Sequence, residues 1–250
     1  MFEVEVSSIE PFRNLVRALA AVLDEGCFHI NEARISLLGM DSSHVAMVDF
    51  ELPREFFDGY NCVGTPRVFI NIDEFLRFLD RVERDELVKI RLDEERARLV
   101  IQCIRPGHTS RFEMPIMEPL DEEVPKPKIS FKSSARILTQ SLRGAIMDAG
   151  LVSEQVKIEV TGDMLRMSAV GDVGSAVSEW ERGADELLEL KAEEGSSAAF
   201  TLSYLRDMVN AARLSSEVVT LKLNTDMPIR MDFELPQGKL VYYLVPCIGE

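Results

Sequence analysis

The chain has 250 residues, 46% of them hydrophobic, and 28 lysines and arginines against 43 acidic residues, for a formal net charge of −15. That length and apolar content suit one large or two ordinary globular domains. No apolar run approaches the roughly 18 to 20 residues of a membrane span, and the acidic, alternating start MFEVEVSSIEP is neither a signal nor a transit peptide, so a cytoplasmic protein is expected. Taken alone, the charge argues against a nucleic-acid binder, because a uniform anionic field repels phosphate. Where the basic residues sit therefore decides the matter.

Taken in order, Phe2, Val4 and Val6 alternate with Glu3 and Glu5 and predict a strand with one buried face. Ser7 to Glu10 fits a capping box, and Phe12, Leu15, Val16, Leu19 and Leu23 have helical spacing. Strands follow at about 27–31, 34–39 and 45–51, then an irregular segment from Pro53 to Pro66. A second round has a strand at 67–71, a helix at 72–82, and strands at 87–92, 98–104 and 109–114. Pro115 to Ile129 carries Pro115, Pro119, Pro125 and Pro127 together with Glu118, Asp121, Glu122 and Glu123, a density that no helix or central strand survives. Beyond it the order recurs: a strand at 129–133, a helix from Ser134 to Ala149 closed by Gly150, strands near 154–160, 163–169, 174–180 and 186–193, a strand at 198–202, a helix from Tyr204 to Arg213, and strands at 217–223, 227–233 and 239–245.

The pattern is β-α-β-β-β four times, in two pairs. It predicts an α+β fold of two similar domains, with antiparallel sheets and helices on one side only. The expected boundaries are an N-terminal domain at 1–115, a connector at 116–128 and a C-terminal domain at 129–250. Cys27, Cys62, Cys103 and Cys247 show no CxxC spacing, and the three histidines are scattered, so no metal site is expected. No phosphate-binding glycine loop and no His-Cys-Asp cluster points to an enzyme.

Each expected helix carries arginine at steps of three, four or seven: Arg13 and Arg17; Arg77, Arg81 and Arg84; Arg136 and Arg143; Arg206 and Arg213. Such steps share one helix face. A surface of arginines without aromatic rings suits a duplex backbone contacted without sequence reading, and suits single strands poorly.

From Gly39 to Val48, GMDSSHVAMV, the sequence resembles the sliding clamps of archaea and eukaryotes, the proliferating cell nuclear antigen (PCNA) family. The resemblance spans the chain. It includes the SIEPF helix start, the acidic proline-rich connector and the tail from Tyr242 to Ile248, which is similar to the family's Tyr-Tyr-Leu-Ala-Pro-x-Ile with Val245 in place of alanine. The short chain and its connector resemble the archaeal type. The resemblance implies a ring of three subunits, identical or paralogous, around double-stranded DNA. Helices would line the hole and sheets form the outer wall. The ring would use no cofactor and no catalysis, and would tether DNA polymerase, flap endonuclease and DNA ligase after a clamp loader places it on the nucleoid. By the same resemblance, a partner-motif pocket would use Met40, Ser42, His44, Val45, Val124, Pro125, Pro228, Val245, Pro246 and Ile248. Subunits would meet through edge strands at about His108–Met114 and Val173–Trp180, with Arg111, Phe112, Val177 and Trp180 as contributors. Arg105 and Arg111 would face Glu179 or Glu181. The other reading is a protein-only docking scaffold that does not encircle DNA.

Overall fold

Alternation of apolar and acidic residues makes β1 (Phe2–Val6), whose apolar side chains are buried while Glu3 and Glu5 face out. The computed structural model describes residues 1–118 and 124–247. α1 (Ile9–Ala20) buries one stripe, Ile9, Phe12, Leu15, Val16 and Leu19. The expected capping box does not form. The helix starts from Ser8 without a side-chain cap. The Ser7 N–H instead donates to the Asp58 carboxylate at 2.5 Å, and hydrogen bonding from the Ser7 hydroxyl first, then from that N–H, lowers the Asp58 pKa. α2 is Ile72–Leu79, capped by the Asn71 side chain accepting from the Glu74 N–H at 2.8 Å. It stops three residues short of the expected Val82, so Arg81 and Arg84 lie beyond its end.

The chain divides into two units. The first takes Met1–Asp41, Val48–Pro125 and Pro236–Lys239. Its further strands are β2 (Glu25–Ile30), β3 (Arg34–Met40), β4 (Ala46–Pro53), β5 (Gly59–Cys62), β6 (Arg67–Asn71), β7 (Leu87–Asp93), β8 (Arg98–Arg105) and β9 (His108–Pro115). They lie in the orders β5-β1-β7-β8-β9 and β4-β3-β2-β6. The short β5 falls in the segment expected to be irregular, and pairs antiparallel with β1 from Phe2↔Cys62 to Glu5↔Gly59. Both sheets and both helices of this unit meet around one apolar cavity of about 40 Å³, lined among others by Phe2, Phe12, Phe28, Phe50 and Phe75.

The second unit takes Ser42–Met47, Lys126–Leu235 and the chain from Leu240. It repeats the plan with β10 (Ser133–Leu138), α3 (Thr139–Ala149), β11 (Gln155–Val160), β12 (Met164–Gly171), β13 (Gly174–Glu181), β14 (Leu187–Ala192), β15 (Ser196–Thr201), α4 (Leu202–Ala212), β16 (Val218–Leu223), β17 (Ile229–Phe233) and β18 (Lys239–Leu244). The orders are β14-β10-β16-β17-β18 and β13-β12-β11-β15. The expected strand at 129–133 is displaced: pairing runs from Ser133 to Leu138, and the helix begins only at Thr139. Arg136 is therefore a strand residue. Gly150 keeps right-handed geometry, φ −65°, rather than the expected left-handed cap.

Each unit ties its own tail to the strand ahead of its second helix. The Met117 N–H donates to the Phe69 carbonyl of β6, and the Cys247 N–H to the Ala199 carbonyl of β15, both at 2.8 Å. β9 and β13 are outermost strands of their sheets. The β12–β13 hairpin is pressed onto the loop after α3, where a Cβ on Gly171 would stand 1.7 Å from the Val152 carbonyl oxygen. Gly171→Ala is expected to cost about 2 kcal/mol or more, read by denaturant unfolding; an unchanged midpoint would mean the hairpin is not docked there.

Candidate functional site

The arginines expected on one helix face fall into three kinds. Arg13 and Arg143 are half-buried clasps between helices. Arg13 Nη1 donates to the carbonyls of Leu79 and Val82 at 3.3 and 3.4 Å, adding a charged donor at the end of α2, where the Leu79 carbonyl also accepts from the Val82 N–H at 3.2 Å. Arg143 Nε donates to Asn210 Oδ1 at 2.7 Å, joining α3 to α4. Arg17, Arg84 and Arg206 meet carboxylates: Asp80 at 2.7 Å, Glu10 at 3.5 Å and Asp207 at 3.4 Å. Arg77, Arg81 and Arg213 are exposed and, among the described residues, have no carboxylate within 4.0 Å. Arg136 leaves the set altogether. On the outer face of β10 it forms a bidentate pair with Glu234, Nη2 to Oε2 at 2.8 Å, which raises its own pKa and lowers that of Glu234. The apolar alternation Ala135–Ile137 continues the strand through it.

In the second unit the tail reaches the loop before β4. The Val245 N–H donates to the Val45 carbonyl at 2.9 Å. Ser42 and His44 are exposed, His44 in a left-handed turn at φ 57°, and Val245 is 44% exposed. Pro228 and Pro246 are half-buried in the same unit, while Met40, at the end of β3, and Val124 and Pro125 belong to the first. Ile248 lies outside the described residues.

At the outer strands, Phe112 of β9 is half-buried against Phe78, ring centroids 5.3 Å apart. Arg111 pairs with Glu113 at 2.6 Å and Arg105 with Glu83 at 2.9 Å, while Glu179 already meets Arg166 at 3.2 Å. Trp180 is turned inward, 8% exposed, and its indole N–H donates to Glu186 at 2.9 Å. Val177 is exposed, and so are Leu151, Val170 and Val173, the last at 80%. Of these four, sequence reasoning named Val177 as a contact residue and Val173 only as the start of the edge strand. The available signal was a short hairpin with valines at 170, 173 and 177 and glycines at 171 and 174.

The N-terminal domain description of proliferating cell nuclear antigen matches residues 1–122, and the C-terminal domain description residues 127–248. This chain belongs to the PCNA family. The DNA polymerase sliding clamp of Thermococcus gammatolerans is 31% identical over 251 residues, covering 100% of this chain and 99% of that protein. Sliding clamp 1 of Pyrobaculum aerophilum is 29% identical over 94% of each. A crystal structure of PCNA from Thermococcus kodakaraensis shares the fold at TM-score 0.91 with 22% identity, over 99% of this chain and 100% of that one.

Among the described residues of this PCNA-family chain, no group of three or more His, Cys, Asp or Glu side chains could hold a metal. No helix among them is long and apolar enough to cross a membrane. Its helix arginines thus split into clasps, ion-paired groups and free cations. Arg13→Gln is expected to cost about 1 kcal/mol, because it uncaps α2, while Arg81→Gln stays within about 0.5 kcal/mol. Urea unfolding of the two variants checks this; equal effects would return Arg13 to the solvent-facing group.

Proposed function

We propose that this chain is a DNA sliding clamp: one subunit of a closed ring of three that encircles duplex DNA and holds DNA polymerase on its template without chemistry of its own. The carrying observation is a family-matched unit, built twice, whose helices and the turns that close them carry exposed arginines away from the core-facing stripes. Arg77, Arg81, Arg206 and Arg213 are those exposed groups. Flexible cations without aromatic platforms meet phosphate by charge, which lets a duplex slide. The acidic exterior then discourages adhesion of DNA anywhere else.

The finer parts of the reading are these. A connector at 116–128 joins domains 1–115 and 129–250. A partner's short aliphatic and aromatic motif docks on Met40, Ser42, His44, Val45, Val124, Pro125, Pro228, Val245, Pro246 and Ile248, with flap endonuclease, DNA ligase and the clamp loader among the partners. β9 of one subunit adds to β13 of the next, which satisfies two sheet edges and covers Leu151, Val170, Val173 and Val177. Arg111 and Phe112 contribute on the β9 side. Trp180 supports the strand from within. The ring works in the cytoplasm, on the nucleoid. Asp73, Glu74 and Asp80, which share α2 and its end with Arg77 and Arg81, favour the competing reading of a docking scaffold that does not encircle DNA.

The combined variant Arg77→Gln, Arg81→Gln and Arg213→Gln separates the two. On a clamp it lowers polymerase stimulation on primed circular DNA, and the slope of log K against log salt falls by about 0.9 for each phosphate no longer neutralised. Unchanged stimulation and slope would favour the scaffold. Val173→Glu places a charge on the proposed subunit edge, and light scattering should then report a mass below that of the trimer; an unchanged mass would remove β13 from the contact.

A further inference from the structure

The two units repeat one scaffold, so equivalent positions can be compared within a single chain. On the outer face of the first unit, Glu3 of β1 stands directly between Asn61 of β5 and Arg91 of β7. On the second, the equivalent row is Lys191 of β14, Ser134 of β10 and Lys222 of β16. The carboxylate flanked by an amide and a guanidinium has become a hydroxyl flanked by two ammonium groups. The fold does not require this, because the first unit builds the same three-strand arrangement with an acid at its centre.

The row lies in a groove of about 560 Å³ whose walls also include Lys132, Arg182, Phe131 and Leu190, with Glu193 its one acidic lining residue. Four cations thus line one groove of a chain with net charge −15. The wall is pinned: the Lys132 N–H donates to Asn224 Oδ1, and Asn224 Nδ2 donates to the Ser130 carbonyl, both at 2.8 Å. Arg182 is fixed by donating Nε to the Gly162 carbonyl at 2.8 Å. The three lysines rest on nearby carboxylates, Lys132 on Glu194, Lys191 on Glu189 at 2.5 Å and Lys222 on Asp232 at 2.9 Å. The first two pairs are solvent-exposed and the third is partly so. Such pairs are worth little and exchange readily for a better anion. Ser133, Ala135 and Ile137 fill the core side of β10, so the row faces away from the helices.

We propose that this groove is a docking site for an acidic segment of a partner protein, with carboxylates seated along Lys191, Ser134 and Lys222 and an apolar side chain against the half-buried Phe131. The volume falls in the range of about 300–1,000 Å³ of peptide-sized and drug-sized pockets, far beyond a lone inorganic anion. The Phe131 ring in the wall favours a peptide over a phosphate chain. A face turned from the helices is not one an encircled duplex would touch. Only that exclusion of the duplex rests on the clamp reading; the charge and shape of the groove do not.

The test is fluorescence anisotropy of the full chain with a labelled Glu-Glu-Leu-Glu-Glu peptide and its all-glutamine counterpart. The acidic peptide binds, the glutamine peptide does not, and binding weakens as salt rises from about 50 to 300 mM. Ser134→Glu, which copies the acid of the first unit and so suits the scaffold, lowers the affinity by about tenfold or more. The paired Lys191→Glu and Lys222→Glu variant does the same, and Arg206→Gln leaves it unchanged. No binding at about 1 mM peptide overturns the proposal, as does binding indifferent to Ser134→Glu. A short DNA duplex that binds more tightly than the peptide and is lost in Ser134→Glu would also overturn it, making the groove a nucleic-acid site.

Discussion

An open β-sheet always presents two rows of backbone groups that its own strands cannot pair. In each unit, one of those rows is met locally: Met117 bonds to β6 and Cys247 to β15, each from the segment that follows its unit's last strand. The chain leaving a domain thereby becomes part of that domain. In the first unit this fixes the start of the connector. In the second it fixes the tail, and the Val245 bond to Val45 two residues earlier holds the same tail against the loop carrying Ser42 and His44. The partner surface proposed for tail and loop would draw its placement from these bonds on both sides of the tail. Among the described residues the outer strands β9 and β13 have no such local strap, and β13 has the exposed apolar residues beside it.

The same economy governs charge. A net of −15 suggests repulsion of DNA, yet net charge is a sum over a surface and binding is local. The first unit's helix pair holds its arginines among acids, Arg17 on Asp80 and Arg84 on Glu10, and uses Arg13 to close the end of α2. Among the described residues, the helix-pair arginines that remain free are few: Arg77 and Arg81 in one unit, Arg213 in the other. If these arginines face DNA as proposed, so few uncompensated cations would make weak, rapidly exchanging phosphate contacts, which suits a body that moves along a duplex rather than grips it.

Much of this was legible in the sequence because strand alternation is robust: Phe2–Val6, Gln155–Val160 and Val218–Leu223 bury every second residue as the pattern requires. The expected strand at 67–71 matches β6 to the residue. Boundaries between strand and helix were harder. Ser134 looks like a helix start, but the sheet continues to Leu138 because Ala135 and Ile137 complete its buried face, and that shift carried Arg136 from a helix to the outside of a sheet. β5 was hidden by Gly59 and its short length. The inward turn of Trp180 depends on Glu186, six residues on, whose carboxylate accepts from the indole N–H; nothing local announces that. Exposure of Val170 and Val173 is equally invisible, since an apolar residue on an open edge reads like one in a core.

Duplication supplies what a single domain cannot, a distinction between what the scaffold needs and what it merely permits. An arginine on the first helix of each unit reaches the second: Arg13 to the carbonyls closing α2, Arg143 to the Asn210 amide. The acceptors differ, yet the clasp persists, so helix pairing is the requirement. One row into the first strand, Glu5 pairs with Lys89, whereas its counterpart Arg136 pairs with Glu234. The sign on the strand is reversed and the ion pair survives, so charge compensation is the requirement there. At Glu3 and Ser134 the sign is not kept, and among the described residues neither side chain has an ion pair. A position that escapes both constraints is one the fold has released, and a row of two lysines around a hydroxyl is chemistry that packing alone does not explain.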